Sequence, residues 1–100
     1  MKTEYEIYMD FKLAMEQVNK LRTISGEVKS IGSEEIGGTI SSVETNWTGE
    51  NSSSYVTKSK KVETKVVNTG GDLGKVAETI EAIAERIRNA ELEALRIAQS

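Results

Sequence analysis

The second half of this chain carries an unbroken heptad, and no other feature limits its fold as much. Counting from Tyr55 in alternating steps of four and three lands on Ser59, Val62, Val66, Thr69, Leu73, Val76, Ile80, Ile83, Ile87, Ala90, Ala94 and Ile97, of which only Ser59 and Thr69 are polar. That spacing draws one apolar stripe along one side of a long α-helix, and such a stripe needs another helix to cover it. Val62, Val66, Leu73, Val76, Ile80, Ile83 and Ile87 are therefore the expected packing seam, and Leu73 to Ile87 are expected to be core. A companion line, Gly70, Ala77, Ala84 and Ala98 with Glu91 interrupting, is made mostly of small residues. Small side chains admit a neighbouring helix closely, which makes this line the candidate for a second contact surface. The helix propensity of alanine accounts for the same residues equally well.

The first half is helix-periodic from its start. Ile7, Phe11, Ala14, Val18 and Leu21 follow the same step, and Ile36, Ile40 and Val43 resume it after a weaker stretch. Thr3 followed three residues later by Glu6 fits a capping box. Turn-forming residues surround Trp47 in Glu44 to Asn51, and Asn51 to Ser54 are each competent to cap a second helix. The pattern predicts helix 1 over about 3–43, a turn over 44–51 and helix 2 over about 52–98, one domain spanning 1–100. Folding the chain about Thr48 sets Gly26 opposite Gly70, Leu21 near Val76, Ala14 near Ile83 and Ile40 near Val56. Gly26, Gly32, Gly37, Gly38, Gly70, Gly71 and Gly74 all fall inside these helices and weaken them by about 7 kcal/mol in all relative to alanine. Glycines matched at one level imply a close helix approach or a shared soft waist. A break at Gly26, or at Gly70-Gly71 with Asp72 capping a fresh helix, competes with continuous helices. The β-branched stretches 39–47 and 55–67 leave a β-hairpin as a weaker alternative.

Composition narrows the function. The chain of 100 residues is 37% hydrophobic with one Trp, a thin core for two helices, so association is the expected way to complete it. A net charge of −3 argues against nucleic acid. The basic cluster Lys58, Lys60, Lys61 and Lys65 lacks interleaved aromatics and reads as a solvated face rather than a phosphate or headgroup patch. With no Cys and no His, the usual nucleophile–base pairs and zinc ligands are missing. The acidic groups Glu34-Glu35 and Glu78, Glu81 and Glu85 have no second catalytic residue type beside them. The expectation is no enzyme, no catalytic residue, no cofactor and no metal. No segment approaches the roughly 20 apolar residues of a membrane span. Met1 to Glu6 lacks the apolar run of a signal peptide, so synthesis in the cytoplasm is expected.

A central Trp47-Thr48-Gly49, flanked by long helical segments in a chain of this length, resembles the WXG superfamily of early-secreted-antigen-like proteins exported by type VII secretion systems. Ser52 and Ser54 lead to Tyr55, eight positions past Trp47, as the family tends to place small residues before an aromatic. The resemblance covers the whole chain. It implies an all-α helix–turn–helix hairpin, pairing antiparallel with a second copy or a related hairpin into a four-helix bundle. It further implies secretion without a cleaved signal peptide, with the secretion machinery and a larger effector as partners. Trp47, Gly49 and Tyr55 become the turn and partner motif, with Trp47 either plugging the hairpin end or walling a groove for the partner's C-terminal residues. Gly49 is expected to supply a positive φ. The family's C-terminal signal is Tyr, three residues, then an acid; here Ile87 and Glu91 stand in that register, without the aromatic. This departure implies a variant signal or export alongside a partner, and Glu91 otherwise pairs with a nearby Arg. The alternative function is a cytosolic coiled-coil adaptor that completes its bundle with an unrelated protein.

Overall fold

The structure, a computed structural model, describes residues 1–47 and 49–100; Thr48, the pivot assumed in the predicted fold-back, lies outside the described residues. Helix α1 spans Glu4–Ser30, a π-helical segment spans Ile31–Ile36, α2 spans Gly37–Asn46 and α3 spans Glu50–Gln99. No strand occurs among the described residues, and 55–67 is helical. The class is all-α, as the periodicity requires. No helix among the described residues is long and apolar enough to cross a membrane.

The start of α1 is the expected capping box. The Glu6 backbone N–H donates to Thr3 Oγ1 at 3.1 Å, and the Thr3 N–H donates to Glu6 Oε1 at 3.2 Å. Two of the helix's orphan donors are thereby satisfied. Neither Gly26 nor Gly70-Gly71 breaks a helix. The irregularity falls elsewhere, in the π-helical segment, with Ser30, Ile36 and Gly37 keeping right-handed helical dihedrals at its ends. The turn is shorter than the predicted 44–51. Trp47 ends α2 in an extended conformation (φ −130°, ψ 120°), and α3 is under way at Glu50, ahead of the predicted 52.

The chain divides into two compact units: Met1–Arg22 with Gly74–Ser100, and Thr23–Leu73. In the first unit, α1 and α3 pair antiparallel. The Arg88 guanidinium lies 4.2 Å over the Phe11 ring, and Arg22 holds Glu81 by two hydrogen bonds of 2.9 and 3.3 Å. Ile7 and Val18 of α1 and Ala77 of α3 are its buried apolar residues. In the second unit, the Ser25 hydroxyl donates to the Gly70 carbonyl at 2.6 Å, and Glu44 pairs with Lys60 at 3.1 Å. Ser25, not Gly26, therefore faces Gly70. A Cβ on Gly26 would meet nothing within 4 Å, whereas one on Gly70 would lie 2.7 Å from Lys29 Cγ and 3.0 Å from the Ser25 carbonyl oxygen. Of the expected pair Gly26 and Gly70, the close approach belongs to Gly70; Gly32 makes another, where a Cβ would lie 2.7 Å from Val67 Cγ2.

Candidate functional site

The apolar seam of α3 lies beside the internal contact rather than in it. Ala77 is 0% exposed, while Val76, Ile83 and Ile87 are 48%, 47% and 52% exposed. Leu73 and Ile80 are half-buried; in the second unit Val62 is exposed and Val66 half-buried. Within the single chain, Val76, Ile83 and Ile87 are therefore not core, contrary to expectation, while Leu73 and Ile80 are partly covered. The line Gly70, Ala77 and Ala84, expected to be the second contact surface, instead faces the chain's own first helical segment: Gly70 and Ala77 are buried and Ala84 half-buried. Only Ala98 of that line is exposed.

Geometry explains the exchange. Small residues let two helix axes come close, and at 100° per residue Val76, Ile80, Ile83 and Ile87 then stand about 60–120° round α3 from Ala77. Ile80, Ile83 and Ile87 line an open apolar groove of about 260 Å³ with Ile7, Phe11 and Ala14 of α1. Its rim is charged. Lys2 Nζ sits 2.9 Å from Asp10 and 3.0 Å from Glu91. Hydrogen bonds to Asp10 and then Glu91 push the Lys2 pKa up to about 12. Farther along, the Arg22 hydrogen bond holds the Glu81 carboxyl below its ordinary value, against the opposing effect of desolvation.

Ile87 and Glu91, the residues in the register of an export signal, part company here. Ile87 is half exposed on the groove wall, whereas Glu91 is only 24% exposed at its side chain and bonded to Lys2, not to an arginine. Nothing in the sequence pointed to Lys2, because long-range ion pairs leave no periodic trace.

The tip of the second unit gathers the turn motif. Gly49 adopts φ +120°, where a side chain would be strained, as its place in the motif predicts. Its carbonyl oxygen accepts the Ser52 hydroxyl at 2.7 Å and the Ser53 N–H at 3.2 Å, which closes the first turn of α3. The rings of Trp47 and Tyr55 lie 6.0 Å apart, tilted by 51°, so two of the three motif residues meet directly. Trp47 is 48% exposed and is not a buried plug. It walls an open groove of about 530 Å³ with Ser53, Val56 and Lys60.

No group of three or more His, Cys, Asp or Glu side chains is arranged to hold a metal ion among the described residues. The groove beside Ile83 and the groove beside Trp47 are both open to solvent. Comparison with protein-family models, with curated proteins and with solved structures gives no match in any of the three.

Proposed function

We propose that this chain is a non-enzymatic protein of the WXG type, a type VII secretion substrate or the helical partner that accompanies an effector to the secretion machinery, acting through bundle formation. The observation that carries the reading is the uncovered seam of Val76, Ile83 and Ile87, with the internal contact given over to Gly70 and Ala77. An apolar stripe left beside a finished helix pair is a surface for another helix pair. The exposed area supports the same reading. The chain leaves 7137 Å² in water, against about 5600 Å² for a typical globular monomer of its 11.0 kDa. The surplus of about 1500 Å² exceeds the roughly 800 Å² that a standard interface takes from each partner. A second copy or a related hairpin, laid antiparallel on the seam, makes a four-helix bundle.

The Trp47–Gly49 turn supports the secretion side of the proposal: its half-exposed tryptophan offers a partner's C-terminal residues an apolar wall. Because Glu91 is tied to Lys2 and no aromatic stands at Ile87, the signal is composite, completed by the partner. The deciding experiment follows the protein into culture supernatant, in a host with a working type VII system and in the same host lacking it. Export that depends on the system is expected, and Trp47→Ala is expected to reduce it at unchanged helicity. A protein that stays in the cells of both hosts while bound to an unrelated coiled-coil partner would replace this function with that of an adaptor.

A further inference from the structure

Within the Thr23–Leu73 unit, two helical turns that should be weak lie against each other, and one hydroxyl ties them. Gly70 and Gly71 are consecutive in α3, and Gly26 follows Ser25 in α1. Gly70 has a packing reason to lack a side chain. Gly26 and Gly71 have none, since a Cβ on either would meet nothing within 4 Å. Helical glycines in open space leave the backbone freer than any other residue would and loosen the turn around them. Ser25 is buried, and its hydroxyl donates to the Gly70 carbonyl at 2.6 Å, using a lone pair that the helix ladder leaves available. A serine at this place, on an α1 face whose other buried residues are Ile7 and Val18, spends a core position on a polar contact.

We infer that the Ser25 hydroxyl is a latch on a soft point of the hairpin, where the turns at Gly26 and Gly70-Gly71 open locally while the rest of α1 and α3 stays helical. The latch holds the two turns together in the closed state and its loss frees both. Local opening here leaves the buried side chains of Val18 and Ala77 in place, so the chain yields at one level without unfolding. A partner that binds the hairpin finds arms able to adjust at that level. The inference stands apart from the proposed secretion role, since it concerns the free chain.

Native-state amide hydrogen exchange on the full-length chain tests it. The amides of Asp72 to Lys75 are expected to exchange faster than those of Ala77 to Ala84, although all lie inside α3. Gly71→Ala, sterically free, should slow the first set about fivefold. Ser25→Ala should speed the same set about fivefold and leave the amides of Ala77 to Ala84 unchanged. Uniform protection along α3 would overturn the soft point, as would a Gly71→Ala chain that exchanges like the wild type. Faster exchange of every amide in Ser25→Ala would reduce the hydroxyl to an ordinary packing contact and overturn the latch.

Discussion

At Gly70 there is no room for a methyl group. The Lys29 stem could move aside, but the Ser25 carbonyl oxygen and the Lys29 nitrogen, 3.0 and 3.1 Å from where a Cβ would stand, are backbone. Gly70→Ala therefore pushes the helices apart, and the expected loss is about 1–3 kcal/mol, the range for overpacking. Gly38→Ala is the opposite case, because nothing lies within 4 Å of that position. It should gain up to about 1 kcal/mol from helix propensity. Denaturant unfolding of the two variants checks both signs, and equal effects would mean that contact distance is not what separates them. Glu81 allows a further residue-scale prediction. Its pKa is lowered in the folded chain by Arg22, so the stabilisation is present above the unfolded glutamate value of about 4.3 and is lost as pH falls through the lower folded value. Lys2 runs the other way: raised to about 12, its contribution holds below the ordinary lysine range and fades as pH climbs through about 12. A carboxyl-shift titration should find the Glu81 pKa lowered in the wild type and raised in Arg22→Met, where only desolvation acts on it.

The π-helical segment is the clearest lesson at the scale of elements. On the first arm, the residues turned inward are Ile7, Phe11, Ala14, Val18, Leu21, Ser25, Val28 and Gly32, stepping four and three throughout. The next are Ile36, Ile40 and Val43, so one step of three has become four. A π turn takes up one surplus residue, and it sits at Ile31–Ile36, where the count slips. This signal stood in the sequence as the weaker stretch before Ile36, hard to read because Ser25 and Gly32 are not apolar. Deleting Glu34 should remove the surplus and leave an α-helix with Ile40 still buried, at unchanged or raised melting temperature. Inserting an alanine after Glu34 adds a second surplus residue and turns Ile40 outward, at a cost of about 1.5–3 kcal/mol. Thermal unfolding of the two variants decides, and a deletion more harmful than the insertion would refute this account of the π turn. What the sequence made legible were features written in local spacing: the helices, the Thr3–Glu6 box and the positive φ of Gly49. What it hid were choices between neighbouring stripes. Hydrophobicity ranks Ile83 and Ile87 above Ala77 and Ala84 as core, but the distance between helix axes favours the smaller pair, and no periodicity reports that distance.

At the scale of the whole molecule the proposal is association, for which the exposed seam and the surplus area are two separate arguments. The chain buries Ala77 completely and leaves two isoleucines of the seam, Ile83 and Ile87, about half in water. Covering an isoleucine recovers about 25 cal/mol for each Å² of apolar surface removed. The ordering and desolvation costs of association absorb part of that gain, so a few well-covered side chains near the centre of the contact carry the affinity. Ile83 and Ile87 fit that description, flanked by Ile80 in the same groove. The double change Ile83→Glu with Ile87→Glu puts two carboxylates into the proposed contact and leaves Ala77 and Gly70 untouched. Sedimentation at micromolar concentration should give twice the chain mass of 11.0 kDa for the wild type, or a stoichiometric complex once a related hairpin is supplied. It should give the single chain mass, with helicity largely retained, for the double variant. A wild-type chain that stays monomeric and fully helical, alone and beside such a hairpin, would mean that the seam tolerates water. The bundle would then have to be abandoned, and the surplus area with it as an argument for a partner.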